Sequence, residues 1–185
     1  MFNKFLIVLF VFISFHIHLE ANEKQLIIDR LMDIDNFTFD FEQTINKKVE
    51  SGTCVIVFNN KLKCNYNNSA GKEVLINGNK LVVNQKRYNK TYFYPISNSL
   101  FVKILNKDSL VSLIQKSNYK LSKNIELLYV DENKNKNFIF FDKQNYNLIG
   151  WKIVDQLQNV VNFSLNIKYI NSELDNAIFK IPAVN

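Results

Sequence analysis

The chain has 185 residues, 47% of them hydrophobic and 14% aromatic, and a formal net charge of +6. That length is enough for one domain with a substantial core. Its only histidines, His16 and His18, lie at the extreme N-terminus, so a chain trimmed there has no Ser-His-Asp or Cys-His nucleophile, zincin site or histidine base.

Residues 1–21 read as a secretory signal peptide. Lys4 supplies the positive start, Phe5 to Phe15 is apolar apart from Ser14, and Ala21 is the expected cleavage point. The apolar run is shorter than the roughly 20 residues a membrane span needs. The first cysteine is Cys54, so no lipid-modified cysteine is expected at the cut. Residues 22–185 are then a single domain. Export would remove one Lys and one Glu and leave the charge unchanged.

The segment from Asn22 to Asp33 is predicted helical, because Ile27, Leu31 and Ile34 repeat at helical spacing. Its apolar stripe either packs on a sheet or forms a movable cover. From Phe37 the period becomes two, with Phe37, Phe39 and Phe41 on one face and Asp40 and Glu42 on the other. Glu50-Ser51-Gly52 reads as the following turn. Thr53 to Phe58 and Leu62 to Tyr66 form a hairpin around Asn59-Asn60, and residues 73–76 and 80–84 form another around Asn77-Gly78-Asn79. Tyr92 to Tyr94 is a short strand before Pro95. Two short helices follow at 99–105 and 108–115, the second capped by Asp108. Strands return at 121–123, 125–130, 137–141, 147–155, 160–170 and 177–181.

The expected fold is therefore mainly β: a half-open antiparallel barrel or curved sheet of about ten or eleven strands. The N-terminal helix and the short central helices pack on its open face. Alternation assigns Phe39, Phe41, Ile56, Phe58, Leu62, Tyr66, Leu81 and Phe93 to one apolar wall, and helical spacing puts Ile27, Leu31, Leu110 and Leu113 on the helices that cover it. Cys54 and Cys64 are equidistant from Asn59, so a hairpin turning there places them opposite each other at disulfide distance; the alternative is two buried thiols. Two thiols alone do not make a metal site.

Lys and Asn are spread through the loops with no basic stripe on a predicted helix, so nucleic acid is not an expected partner. Carboxylate chemistry survives the loss of histidine, but no two carboxylates are placed across a cleft as glycoside hydrolysis requires. A carboxylate hydrolase and a structural envelope protein remain the alternatives to a binding protein.

Phe37-x-Phe39-x-Phe41-x-Gln43, Gly52, and Lys61-Leu62-x-Cys64-x-Tyr66 resemble the LolA family of periplasmic outer-membrane lipoprotein carriers. So do Leu75-Ile76-Asn77-Gly78-Asn79-x-Leu81, Phe140-Phe141-Asp142 and Leu148-Ile149-x-Trp151. Asp155-x-x-x-Asn159 with Phe163, and Phe179-x-Ile181-Pro182, complete the match. The resemblance implies a soluble monomer without cofactor or catalysis. Such a monomer encloses acyl chains of lipoproteins, takes them from an inner-membrane ABC transporter and passes them to an outer-membrane receptor. In two places the chain departs from the pattern. Asn59-Asn60 stands where the family has an Arg-Pro whose arginine latches the lid, and Cys64 replaces a tryptophan.

Overall fold

The computed structural model describes residues 22–96 and 100–181. The expected signal peptide and Pro182 lie outside the described residues. A helix, α1, spans 22–32. Six strands follow: β1 (Asn36–Ile45), β2 (Lys48–Val57), β3 (Lys61–Tyr66), β4 (Lys72–Asn77), β5 (Lys80–Gln85) and β6 (Lys90–Pro95). A short 3-10 turn, Lys86–Tyr88, links the last two. Helices α2 (Leu100–Ile104) and α3 (Lys107–Lys116) come next. The chain ends with β7 (Asn118–Leu121), β8 (Ile125–Val130), β9 (Lys136–Phe141), β10 (Leu148–Val154), β11 (Val160–Ile170) and a 3-10 turn, Asn176–Phe179.

All eleven strands form one antiparallel sheet in the order β6-β5-β4-β3-β2-β1-β11-β10-β9-β8-β7. The sheet is curved and open rather than a closed barrel. Its topology follows from local rules, since every neighbouring pair except β1–β11 joins strands adjacent in sequence. β6 and β7 are the two edges, and α2 and α3 carry the chain from one to the other.

The alternation in β1 does what its sequence requires. Phe37, Phe39 and Phe41 are buried on the inner face with Ile56, Leu62, Ile76, Ile139, Trp151 and Leu165. The helices complete that core through Ile27, Leu31, Ile104, Leu105, Leu110 and Ile114. A much smaller cluster of Leu75, Val82 and Phe179 lies apart from it. Residues 75 and 82 pair in register, with the opposite parity to Val74 and Ile76, so this cluster is on the outer face.

Four local expectations are corrected. The turn after β1 is not at Glu50-Ser51-Gly52 but at Asn46 and Lys47, both at positive φ (47° and 70°), and β2 runs straight through Gly52. Gly52 faces Phe41 in register, and a Cβ there would lie 2.8 Å from the Phe41 ring and collide with the Asn65 carbonyl. The glycine makes room for the backbone of β3 and for an aromatic ring rather than for a turn. The N-cap of α3 is Asn106, whose side chain accepts from the Ser109 N–H at 2.9 Å; Asp108 lies in the first turn, where the helix dipole favours a carboxylate. The strand expected at 121–123 is β7, ending at Leu121. The strand expected at 177–181 is mostly the 3-10 turn, because Asp175 accepts from the Ala177 N–H at 2.8 Å and coils the backbone. Phe179 then drops onto the outer face as a plug.

The role of Gly52 is measurable. Gly52→Ala should lower unfolding free energy by about 1–3 kcal/mol, the cost of overpacking a filled site. Urea denaturation of the two proteins reads that difference.

Candidate functional site

The inner face is an aromatic wall. Trp151 and Phe163 stack with ring centroids 4.1 Å apart, Phe163 stacks on Phe41 at 5.2 Å, and Phe41 meets Tyr66 edge-on at 4.9 Å. Phe37 and Phe39 continue the contact at 5.3 Å, with Phe39 edge-on to Phe163 at 6.4 Å. From the lid side Phe101 of α2 reaches Trp151 at 5.9 Å. These rings derive from β3, β1, β11, β10 and α2, so the strip crosses the sheet and ends on a helix.

Most of the residues anticipated from sequence converge here. Phe39, Phe41, Ile56 and Leu62 are buried in the inner core, and Phe58, Tyr66 and Leu81 pack against it half-buried. Ile27, Leu31, Leu110 and Leu113 are buried in the same core from the helix side. Phe93 does not join them. It pairs in register with Val82, an outer-face residue, and is 41% exposed. The inner-face alternation of β6 is thus one residue out of phase with the expectation. Trp151 and Phe163 are central to the wall yet absent from the residues expected there. The alternation Val161-Phe163-Leu165 in β11 carries that signal.

Cys54 and Cys64 are register partners in the β2–β3 hairpin and are joined as a disulfide. Both are buried in the inner core, so the bridge belongs to the wall and staples the β2–β3 hairpin.

At one end the wall becomes polar. Lys72 Nζ lies 3.6 Å from the Tyr66 ring centroid and 2.7 Å from Glu50 Oε2, and the Tyr66 hydroxyl donates to Gln43 Oε1 at 3.4 Å. Burial raises the Glu50 carboxyl, but hydrogen bonds from Lys72 and Lys48 outweigh it and leave the pKa below the usual carboxylate value. Burial, with the nearby Glu50 charge, pushes the Tyr66 phenol up to about 12.

Two sets of contacts fasten the helices over the wall. At the β2–β3 tip, Asn59 Oδ1 accepts from the Lys107 N–H at 2.9 Å, and the Asn60 N–H donates to the Leu105 carbonyl at 3.0 Å. Lys107 Nζ then donates to the Met32 carbonyl at 3.1 Å and lies 3.3 Å from Asp35 Oδ1. The hairpin tip thus holds the α2–α3 junction, and the junction holds the end of α1. Elsewhere α1 is held by Lys24 Nζ on the Ser117 carbonyl at 2.7 Å and by Arg30 Nε on Asn147 Oδ1 at 2.8 Å. Asn59, Asn60 and Lys107 together therefore fasten the β2–β3 tip to the helices.

Three carboxylates serve turns. Asp155 Oδ2 accepts from the Asn159 side chain and Oδ1 from its N–H, both at 2.8 Å, and these bonds lower its pKa. Asp131 is raised by burial, but equivalent bonds from Asn135 outweigh this and lower it. Asp142 Oδ1 accepts from the Gln144 and Asn145 N–H groups at 2.8 and 3.0 Å. Among the described residues no three His, Cys, Asp or Glu side chains converge as a metal ion requires. Nor is any helix there long and apolar enough to cross a membrane.

An open antiparallel sheet with one apolar face, covered by a helix that precedes its first strand and two that join its edge strands, defines a lidded open-sheet domain. The chain belongs to the LolA family: residues 32–182 match the family model described as outer membrane lipoprotein carrier protein LolA. No curated protein sequence gives a match. Among solved structures, an uncharacterized conserved protein from Thermus thermophilus aligns with a TM-score of 0.54 at 10% identity, over 85% of this chain and 93% of that one. Lipoprotein LppX of Mycobacterium tuberculosis aligns at 0.50 and 12%, over 85% and 97%. At such identities the likeness is one of fold.

The polar end of the wall gives a pH signature. The Tyr66 phenol binds its proton more tightly folded than unfolded, so its contribution is whole below pH about 10 and is lost as pH rises toward 12. Stability should fall by about 2 kcal/mol across that window. Tyr66→Phe should flatten the fall, as read by chemical denaturation at a series of pH values.

Proposed function

We propose that this protein is a periplasmic carrier that binds the acyl chains of lipoproteins against the inner aromatic wall. It accepts them from an inner-membrane lipoprotein-releasing ABC transporter and passes them to an outer-membrane receptor, without catalysis or cofactor, as a monomer. The signal peptide ending near Ala21 is part of this proposal, and so is the assignment of Phe39, Phe41, Ile56, Phe58, Leu62, Tyr66 and Leu81 to the cargo wall. The observation that carries it is that helices, not a second sheet, cover the wall, and polar contacts at the hairpin tip hold their junction. A helix lifts away from a sheet without breaking a strand ladder.

The energies suit transient holding. Burying an acyl chain of about 16 carbons gains on the order of 12 kcal/mol at about 0.8 per CH₂. Uncovering Ile27, Leu31, Leu110 and Leu113 alone costs roughly 8 kcal/mol at about 2 each, and a full lift that also frees Leu100, Ile104 and Ile114 costs roughly as much as the cargo returns. The cargo and the lid compete for one surface, and the remainder must still cover association and ordering. The result is reversible binding, which a shuttle needs.

Weakening the clasp should shift that competition toward cargo. Asn59→Ala removes the acceptor for the Lys107 N–H, a bond contributing about 1 kcal/mol. Affinity for a fluorescent fatty acid or a diacylated lipopeptide should rise about fivefold, as measured by titration. Absence of probe binding in both proteins rejects the carrier reading.

A further inference from the structure

The charge of this protein is localised. Between Val74 and Lys107 the sequence holds six cations (Lys80, Lys86, Arg87, Lys90, Lys103 and Lys107) and no Asp or Glu. The whole chain carries a net +6, so everywhere else cations and carboxylates cancel. Lys107 is engaged with Met32 and Asp35 in the clasp, and Lys103 lies over the Tyr129 ring at 5.4 Å. The other four lie on the β5–β6 hairpin and its connecting turn, at an edge of the sheet. Lys86 faces Glu73 at 3.0 Å. No carboxylate of the described residues lies within ion-pair distance of Lys80, Arg87 or Lys90.

The same edge exposes its aromatic rings. Residues 86–94 are all exposed, and among them Tyr88, Tyr92, Phe93 and Tyr94 are 54%, 39%, 41% and 48% accessible. Lysines on an edge strand are explained by the need to block edge-to-edge pairing. Four exposed rings are not, because they make an edge more adhesive. Tyr92 and Tyr94 pair with inner-side residues Val83 and Leu81, while Phe93 pairs with outer-side Val82. A surface that touches all three rings must lie along the edge itself rather than on either face of the sheet.

We propose that the β5–β6 edge is a docking face for an anionic lipid bilayer. Tyrosine rings settle at headgroup depth with the hydroxyl in water, and lysine and arginine stems extend to the phosphates. Lys80, Arg87 and Lys90, which have no carboxylate partner, are attracted to an anionic leaflet, and that attraction is screened by salt. A partner strand added to β6 would take its affinity from backbone hydrogen bonds and has no need of the missing carboxylates. The proposal rests on charge and exposure and does not depend on the cargo reading.

The test is cosedimentation of residues 22–185, which hold all of the described core, with two kinds of vesicle. One is phosphatidylcholine alone; the other contains about 30% phosphatidylglycerol. Binding to the anionic vesicles should exceed binding to the neutral ones at least about fivefold at low salt, and collapse near 0.5 M salt. Arg87→Glu with Lys90→Glu should weaken it about tenfold. Lys120→Glu with Lys123→Glu makes the same charge change at the β7 edge and should leave it within about twofold. Tyr92→Ser with Tyr94→Ser should weaken binding severalfold while leaving the circular dichroism spectrum unchanged. Equal binding to both vesicles, or equal loss in the two charge-reversal variants, overturns the proposal. So does a dimer broken by Arg87→Glu with Lys90→Glu while vesicle binding survives, which would identify β6 as a strand-pairing edge.

Discussion

Burial of one aromatic sheet face under helices is the constraint on which the rest of this molecule depends. β1 has phenylalanine at three alternate positions, all on the same side. A face that apolar cannot remain in water, and an open sheet with edges at β6 and β7 cannot hide it by closing on itself. The helices supply the cover. The chain path from β6 to β7 lies across this face as α2 and α3, and α1 joins them through Ile27 and Leu31.

The two faces of the sheet are treated differently. The outer face carries a small plug, with Phe179 set on Leu75 and Val82 and its carbonyl accepting from the Asn77 side chain at 3.1 Å. The inner face carries nearly all the buried apolar residues. The disulfide lies inside, within the hairpin whose tip clasps the helices. The disulfide-bridged hairpin gives the clasp a fixed seat on the sheet.

Much of this was legible in the sequence where a single periodicity acts alone. The Phe37-Phe39-Phe41 alternation has one simple reading and the structure follows it; the stripe of Ile27 and Leu31 packs on the sheet, and of the two readings of Cys54 and Cys64 the structure takes the disulfide. Legibility failed where tertiary contacts decide. Gly52 resembles a turn residue until Phe41 is seen across from it. The final strand is mostly a 3-10 turn because a capping aspartate and an outer-face plug outweigh local β propensity. Phe93 fell on the wrong side through a phase error of one residue. The clasp was invisible because it joins residues far apart in sequence, Asn59 with Lys107 and Lys107 with Met32. The basic edge escaped notice because its charges are grouped on a hairpin rather than on a helix.

The central claim is that cargo and helices exclude each other from one wall. Hydrogen exchange on the protein with and without a diacylated lipopeptide tests it most directly. The account predicts that saturating lipopeptide accelerates exchange across α1, α2 and α3 while β1, β2 and β11 keep or gain protection. Lipopeptide that binds yet leaves the helices as protected as before would contradict it.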